Sequence, residues 1–411
     1  MIRSSYSSML AWLETDRRAF LRTAGAASVA AAGAIVLGVP AFGEDTPAGP
    51  ERKQPPEPVT NIDEFMKVPK GPHAIPGPFP GKVVQVTDPK SLRDEAVDGA
   101  AVAAMIEKGI TTLTGKNMKK STRLFFDKND VVGIKVNPVG PPLISVKPEV
   151  VEALIAWLEA GGIRRENIVI WDRFSDMLTE AGFTKERFPG VRIEALQTMA
   201  EEGKSFRNES GEHISAANFD RKAYYFAKGI EGKGVRGYQD DEFYLNQHVV
   251  NGEYSYFGKL LTTTLTKIVN ISSFKNTGDG ISMATKNLGY GAICNTGRLH
   301  APLFFRVCTE VLAAPCVRDK LVLNVTDGIR GQYDGGPMGN ERFTYPWHAL
   351  YFATDPFALD MVCHRQIVEK RKAMHVKVNE DPRFTDYLRL AETLGLGVAE
   401  PARIRHVTVQ A

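Results

Sequence analysis

The chain has 411 residues, of which 43% are hydrophobic and 24% are charged, a balance typical of a soluble globular protein. Its formal net charge is only +3, and its lysines and arginines are spread along the chain instead of forming a basic arm. These features argue against a nucleic-acid-binding protein and against attachment to an anionic membrane surface.

Residues 1–43 are predicted to be an export signal and not part of the fold. The pair Arg17-Arg18 precedes Phe20-Leu21, and the run 23–39 is rich in alanine and glycine and carries no charge. This arrangement resembles the twin-arginine signal, which is a recognised export address. A membrane anchor is the alternative, but the run is short and weakly apolar compared with the roughly 20 apolar residues that a span needs.

The resemblance to a twin-arginine signal implies a periplasmic or otherwise exported protein. It implies that the chain engages the twin-arginine export machinery and keeps no stable membrane span after cleavage near residues 41–43. That machinery carries folded proteins, often with a cofactor already loaded, so the resemblance also favours a cofactor of unknown identity.

Residues 44–80 hold ten prolines and are predicted to form an extended linker or a strap that lies over the domain. The folded domain is predicted to span residues 81–400 and to begin with a strand at 82–86. Asp88, followed by Pro89, predicts the cap and first turn of a helix that runs to about residue 108.

The apolar runs 131–137 and 167–172 predict two buried strands, and the amphipathic stretch 148–160 between them predicts a helix. Strand, helix and strand in this order form a parallel βαβ unit with a right-handed crossover. A further strand is predicted at 191–195. From about 203 to 257 the pattern fades into polar and aromatic sequence, which predicts an insertion with some β structure.

The stretch 267–300 places a cluster of polar residues directly after an apolar strand at 268–271. It predicts a polar loop at 272–278 and then a short helix in which Met283 and Asn287 lie one turn apart. A strand end that delivers lysine, asparagine and glycine to one loop suits ligand binding at the carboxyl edge of an α/β sheet. A solvated surface loop is the alternative.

The remaining sequence alternates in the same way. It predicts helices at 302–314, 357–370 and 381–394, and strands at 320–328 and 347–353. The predicted fold class is therefore α/β, with a mainly parallel, Rossmann-like sheet, helices on both faces and the polar insertion. The strands at Ile134, Ile170, Val269 and Leu323 are expected to lie in this one sheet.

Four cysteines, Cys294, Cys308, Cys316 and Cys363, lie far apart in the sequence. Iron–sulfur clusters and structural zinc sites usually use closely spaced cysteine pairs, so no iron–sulfur cluster is expected. A disulfide stays open in an oxidising compartment, and buried free thiols are the default interpretation.

A series of short motifs runs from about residue 83 to residue 370. The motifs are Gly133-Ile134-Lys135-Val136-Asn137, Pro148-Glu149-Val150-Val151, Ala160-Gly161-Gly162, Asp172, Lys275, Ala284-Thr285-Lys286-Asn287-Leu288, His300, Asp327-Gly328, Gly335-Gly336-Pro337, Gly339, Thr354-Asp355-Pro356 and Asp360. Their order resembles one family, domain of unknown function 362 (DUF362). Because the molecular function of that family is largely undefined, the resemblance implies a fold and a site more than a reaction.

Two departures from the family's pattern matter. Relatives often have a lysine followed two positions later by a histidine, whereas this chain has Lys275 and Thr277. Many relatives also carry a ferredoxin-like cysteine cluster, which this chain lacks, so an iron–sulfur role does not carry over.

Lys275 and Lys286 are the predicted catalytic residues. Lysines that converge on a cleft bind carboxylate or phosphate, and a lysine removed from water can lose its proton and act as a base. The predicted substrate-binding residues are Lys135, Asn137, Asn287 and His300. Because the ends of parallel strands share one edge of a sheet, we expect these groups to meet in one cleft. Solvated lysines, and a histidine that caps the next helix, are the alternatives.

Asp172 and Asp327 end two predicted strands and are candidate ligands of a divalent metal, since hard cations prefer carboxylate oxygens. For Asp327, which precedes Gly328, a structural turn is the alternative. The cofactor therefore stays unknown, with a divalent metal as one candidate.

Two functions stay open at this point. The first is an exported enzyme that acts on a small anionic substrate, a carboxylate or a phosphate, with metal or redox assistance undecided. The second is a non-catalytic periplasmic protein that binds an anion or a metal in the same cleft. A structural envelope protein would leave the lysine-containing loop without a purpose.

Overall fold

The structure is a computed structural model, and it describes residues 58–197, 218–228, 253–300, 303, 305–379, 381 and 383–411. The predicted twin-arginine signal, residues 1–43, lies outside the described residues. Most of the predicted insertion at 203–257 lies outside them as well.

The described strands are, in chain order, β1 Val59–Thr60, β2 Lys82–Thr87, β3 Leu92–Arg93, β4 Ala96–Val97, β5 Val132–Lys135, β6 Ile168–Phe174, β7 Arg192–Gln197, β8 Phe219–Lys228, β9 Tyr254–Gly258, β10 Lys267–Thr277, β11 Gly280–Ile281, β12 Leu321–Gln332, β13 Thr344–Tyr345, β14 Ala349–Ala353 and β15 Arg405–Gln410. The described α-helices are α1 Ile62–Lys67, α2 Gly99–Thr114, α3 Met118–Phe125, α4 Pro148–Ala160, α5 Ser175–Glu180, α6 Ala284–Gly289, α7 Arg306–Leu312, α8 Pro315–Arg318, α9 Pro356–Ala373 and α10 Arg383–Thr393.

One large sheet organises the fold, with the strand order β15-β2-β14-β12-β10-β5-β6-β7. The five strands from β12 to β7 are parallel to one another, whereas β14 is antiparallel to both of its neighbours. Val269 pairs with Ile134 on one side and Leu323 on the other, and Ile134 pairs with Ile170. The prediction that these four residues share a mainly parallel sheet is confirmed.

Helices cover both faces of the sheet, which explains the nearly continuous apolar runs of its central strands. On one face, Met105 of α2 and Leu154 of α4 belong to a buried cluster with Ile134 and Ile170. On the other face, α6, α7, α9 and α10 surround a second set of buried side chains that includes Ile268. The predicted helix at 148–160 is confirmed at both ends, where Pro148 occupies the first turn and glycines follow.

The prediction that a helix starts at Pro89 is wrong. Residues 89–91 form a single 3-10 turn, and β3 and β4 then form a short hairpin. Asp94 and Glu95 at its tip have φ values of 47° and 69°, a left-handed conformation that a right-handed helix does not contain. The helix instead begins at Gly99, where the carboxylate of Asp98 accepts hydrogen bonds from the next backbone N–H groups.

The loop predicted at 272–278 is also wrong, because β10 continues to Thr277. Two polar side chains of β10, Asn270 and Ser272, pair with side chains of β12, whereas the buried Ser273 hydroxyl has no hydrogen-bond partner among the described residues. The Ser272 and Thr326 hydroxyls are 3.0 Å apart, and the amide of Asn270 donates to Asn324 Oδ1 at 2.9 Å. The pairing removes the cost of burying these polar groups, so a polar stretch can remain a central strand.

The described part of the proline-rich segment 44–80 forms a strap. The buried Arg318 guanidinium donates to the carbonyl oxygens of Phe65, Val68 and Pro69 at 3.0 to 3.1 Å, and Ile75 is fully buried. Upstream, β1 pairs with β8, and β8 pairs with β9, which gives the described part of the insertion its β structure.

The large sheet continues past residue 400, because β15, which was not predicted, pairs with β2 along its whole length. Within the residues described above, no helix combines the length and the hydrophobicity that crossing a membrane requires. All four cysteines are free thiols, three of them buried and Cys316 half-buried.

Candidate functional site

A cavity of about 180 Å³ opens at the carboxyl ends of β5 and β10. The chain leaves β5 toward β6 on one side and later returns to place β10 on the other side of β5. Such a reversal of strand order opens a crevice between the departing connections, and open α/β sheets bind their ligands there. The topology therefore selects this cavity as the candidate functional site.

The cavity gathers seven of the eight site residues predicted from the sequence. They are Lys135, Asn137, Asp172, Lys275, Lys286, Asn287 and His300. The eighth, Asp327, is not among the lining residues.

Lys135, at the end of β5, is a fully engaged ammonium group. Its Nζ donates to the carbonyl oxygen of Val136 at 2.7 Å, to Asn287 Oδ1 at 2.9 Å and to the carboxylate of Asp172. The side chain is 1% exposed. Burial lowers the pKa of Lys135, and the charge of Asp172 opposes that shift. Three acceptors match the three N–H bonds of an ammonium, so Lys135 and Asp172 form a structural ion pair in the cavity wall.

Lys275, near the end of β10, has a different environment. Its Nζ donates to Asn137 Oδ1 and to the carbonyl oxygen of Val139, both at 2.9 Å, and the residue is 0% exposed. Burial lowers the pKa of Lys275 well below its usual range, and the positive charge of Lys286 lowers it further. The neutral amine is therefore favoured at pH values where an ordinary lysine is charged.

Lys286 and His300 flank the Tyr290 ring in the cavity wall. Lys286 Nζ lies 4.8 Å from the centre of that ring, and the His300 ring centre lies 4.5 Å from it. His300 Nδ1 is 3.0 Å from the carbonyl oxygen of Thr296. Burial, and then the nearby charge of Lys286, lower the pKa of His300 to about 3. The imidazole is therefore neutral at neutral pH, with Nδ1–H donating to the Thr296 carbonyl.

The cavity is electropositive. Among the described residues that line it, the three cations Lys135, Arg173 and Lys286 outnumber the one carboxylate, Asp172. Because low-dielectric walls concentrate this field, the cavity attracts an anion in preference to a cation.

Helix α6, which carries Lys286 and Asn287, is held in place by hydrogen bonds to Asp360 of α9. The Asp360 carboxylate accepts hydrogen bonds from the backbone N–H groups of Ala284 and Thr285, both at 2.9 Å, and from the Thr285 hydroxyl at 2.5 Å. Asp360 is 0% exposed. It therefore positions α6, and with it the Lys286 ammonium, relative to the sheet.

Replacing Asp360 by alanine is expected to destabilise the protein by about 2–4 kcal/mol, because buried donors lose their acceptor and each costs about 1–3 kcal/mol when left unpaired. Denaturant-induced unfolding measures the loss. Asp386→Ala, which removes an exposed carboxylate from α10, is the matched control and should change stability by less than about 0.5 kcal/mol. Equal effects of the two substitutions would contradict the positioning role of Asp360.

Gly291 allows the helix end to approach the ion pair. A Cβ atom at this position would lie 2.3 Å from the carbonyl oxygen of Asn287 and 2.6 Å from Lys135 Cε. Such contacts are too short for carbon and oxygen, so any side chain at 291 would displace Lys135. Gly291, which follows the end of α6, is therefore required by the cavity wall.

Several lining residues were not among those predicted from the sequence, namely Arg173, Ser282, Tyr290 and Thr296. Arg173 Nη1 donates to Thr296 Oγ1 at 2.5 Å. A usable signal existed for Arg173, because it directly follows Asp172 at the end of a predicted strand. Thr296 lies in an irregular segment, where no periodic pattern indicates which side chains point toward the cavity.

Asp327 lies away from the cavity that Asp172 lines. Two strands, β10 and β5, lie between β12, which carries Asp327, and β6, which carries Asp172. Asp327 instead accepts hydrogen bonds from the backbone N–H groups of Lys147 at 2.8 Å and Ile329 at 3.0 Å. The structure does not bring the two candidate metal ligands together, and no group of three or more His, Cys, Asp or Glu side chains in the described ranges is arranged to hold a metal.

Fold and cavity together define an α/β protein with a large, mostly parallel sheet and an electropositive cavity at its switch point. The chain belongs to the family described as "Domain of unknown function (DUF362)", which matches residues 132–365, more than half of its 411 residues. The matched range contains all of the residues that line the cavity. Comparison with curated proteins and with solved structures finds no match.

Proposed function

We propose that this protein is an enzyme that binds a small molecule bearing a carboxylate or phosphate in the cavity, and that Lys275 acts on it as an uncharged amine. The observation that carries the proposal is the pairing of a buried lysine, which has no carboxylate partner among the described residues, with cations in the same cavity wall. The cations supply affinity for the anion, and the amine supplies a base.

The size of the cavity supports a small ligand. A volume of about 180 Å³ is below the range of about 300–1,000 Å³ usual for drug-sized ligands. A metabolite of a few non-hydrogen atoms suits this space better than a nucleotide or a peptide.

The state of Lys275 favours catalysis over simple binding. A protein that only retained an anion would gain from a third charged lysine, whereas a neutral amine adds little electrostatic attraction. Lysines whose proton is removed by burial and by a neighbouring cation are typical of bases and nucleophiles.

The test is calorimetric titration of the purified protein with phosphate and with pyruvate. Replacing Lys286 by methionine is expected to weaken binding of the preferred anion by about 10- to 150-fold, because a charge-assisted contact is worth about 1.5–3 kcal/mol. Lys119→Met, a change at an exposed lysine on α3, is the control and should leave affinity unchanged. Equal affinities of both variants for both anions would overturn the proposed anion site.

We also propose that the protein is exported by the twin-arginine pathway. The support is the Arg17-Arg18 pair and the uncharged run after it. Changing both arginines to lysine is expected to leave the precursor in the cytoplasm, as fractionation and immunoblotting would measure. Arg22→Lys makes the same chemical change outside the pair and should export normally. Normal export of the double variant would contradict this route.

A further inference from the structure

We propose that Lys275 is a nucleophile that forms a Schiff base with the carbonyl carbon of a small oxo acid, a molecule that carries a ketone or aldehyde beside its carboxylate. This inference rests on the proposed anion site and assigns its substrate class. It starts from a difference between two lysines that line the same cavity.

Lys135 and Lys275 differ in the number of acceptors around Nζ. Lys135 has three, including a carboxylate, which is the full complement of an ammonium group. Lys275 has two, a side-chain amide oxygen and a backbone carbonyl oxygen. A neutral amine has two N–H bonds and one lone pair, so these two acceptors hold both hydrogens of Lys275.

The remaining position on the Lys275 nitrogen is the lone pair that attacks a carbonyl. The side chain is buried, yet it borders the cavity, so the amine meets the contents of the cavity and not bulk water. Burial and a neighbouring cation are the two conditions that activate a lysine for Schiff-base formation, and Lys275 meets both.

Lys286 and Arg173 explain why the substrate should carry a carboxylate. Both line the cavity together with Lys275, and Asp172 is held by Lys135. A carboxylate placed against these cations brings an adjacent carbonyl carbon toward the amine. A neutral ketone lacks this anchor, and a hydroxy acid lacks the carbon that the amine attacks.

The reaction balances without an oxidant or reductant. The Lys275 lone pair attacks the carbonyl carbon, a C–N bond forms, and the carbonyl oxygen takes up a proton to give a carbinolamine. The Lys286 ammonium is the donor that we assign for this first proton, because it lies in the same wall. The nitrogen then passes one proton to the Lys286 amine, which returns it to the oxygen. The nitrogen lone pair forms the C=N bond as the C–O bond breaks, so the oxygen leaves as water and a protonated Schiff base remains.

The experiment is reductive trapping of the full folded protein with cyanoborohydride in the presence of pyruvate, glyoxylate or 2-oxobutyrate, followed by peptide mass spectrometry. The expected result is a reduced adduct on Lys275 with at least one of the three acids, and none with acetone. The adduct should be absent in Lys275→Met and form at least about tenfold more slowly in Lys286→Met, the loss expected when a charge-assisted contact is removed. Lys119→Met should resemble the unaltered protein.

Parallel calorimetry with the same acids and with lactate separates the two proposals. Binding of the acids without an adduct on Lys275, or with adducts only on exposed lysines, would overturn the Schiff base and leave the anion site standing. Failure of both binding and trapping would overturn both.

Discussion

Replacing Asp172 by asparagine is expected to destabilise the fold by about 3–5 kcal/mol, because it leaves the buried Lys135 ammonium without a counter-charge. The two groups are 1% and 8% exposed, so water cannot take over the role of the carboxylate. Denaturant-induced unfolding of the two proteins measures the difference. The loss should shrink as the pH rises, because Lys135 can then give up its proton.

Two controls distinguish this effect from a general sensitivity of the fold. The double variant Lys135→Met with Asp172→Leu removes both charges and should recover most of the lost stability, since apolar replacement of a buried pair is often close to neutral. Glu159→Gln breaks the exposed pair with Arg165 and should cost less than about 1 kcal/mol. A loss of that small size in Asp172→Asn would contradict the structural role of the pair.

Replacing Lys275 by methionine is expected to reduce turnover to the rate in buffer alone while changing stability by less than about 3 kcal/mol. Methionine fills a similar volume, and the main cost is a carbonyl oxygen of Val139 left without its donor. In the proposed chemistry, an iminium group makes the methyl protons of pyruvate acidic. Their exchange for deuterium, followed by proton NMR, measures the activity.

The same exchange assay compares Lys275→Arg, which keeps hydrogen-bond donors at this position but cannot act as an amine nucleophile. We expect this variant to be as inactive as Lys275→Met, and Lys119→Met to be as active as the unaltered protein. Exchange that persists in both Lys275 variants would show that another group carries the reaction.

The sheet was predictable because its central strands are buried on both faces. Ile134, Ile170, Val269 and Leu323 lie in apolar runs that leave few alternatives to a parallel strand. The hairpin before α2 was not predictable in the same way. Its left-handed residues Asp94 and Glu95 carry no distinctive sequence signal.

The polar half of β10 shows a second limit of sequence patterns. Serine, asparagine and threonine are typical of a loop when their partners are unknown, and the partner of Ser272 is Thr326 on β12, more than 50 residues away. Burial with hydrogen bonding is a tertiary property, so local composition cannot reveal it. The same reason explains why β15 was missed, since its partner β2 lies at the start of the domain.

The residue types at the candidate site were predictable, but the different role of each lysine was not. Lysines at strand ends indicated a shared edge, and the structure brings Lys135, Lys275 and Lys286 to one cavity. Only the three-dimensional contacts show that Lys135 is held by Asp172 while Lys275 is not. Asp327 was grouped with Asp172 because both end predicted strands, but β10 and β5 lie between the strands that carry them.

A crystal structure of the protein soaked with pyruvate tests the central claim most directly. The account predicts density for the acid inside the cavity, with its carboxylate within hydrogen-bond distance of Lys286 Nζ and its second carbon joined to Lys275 Nζ. A cavity that contains only water, while pyruvate occupies exposed lysines such as Lys119 or no site at all, would contradict it.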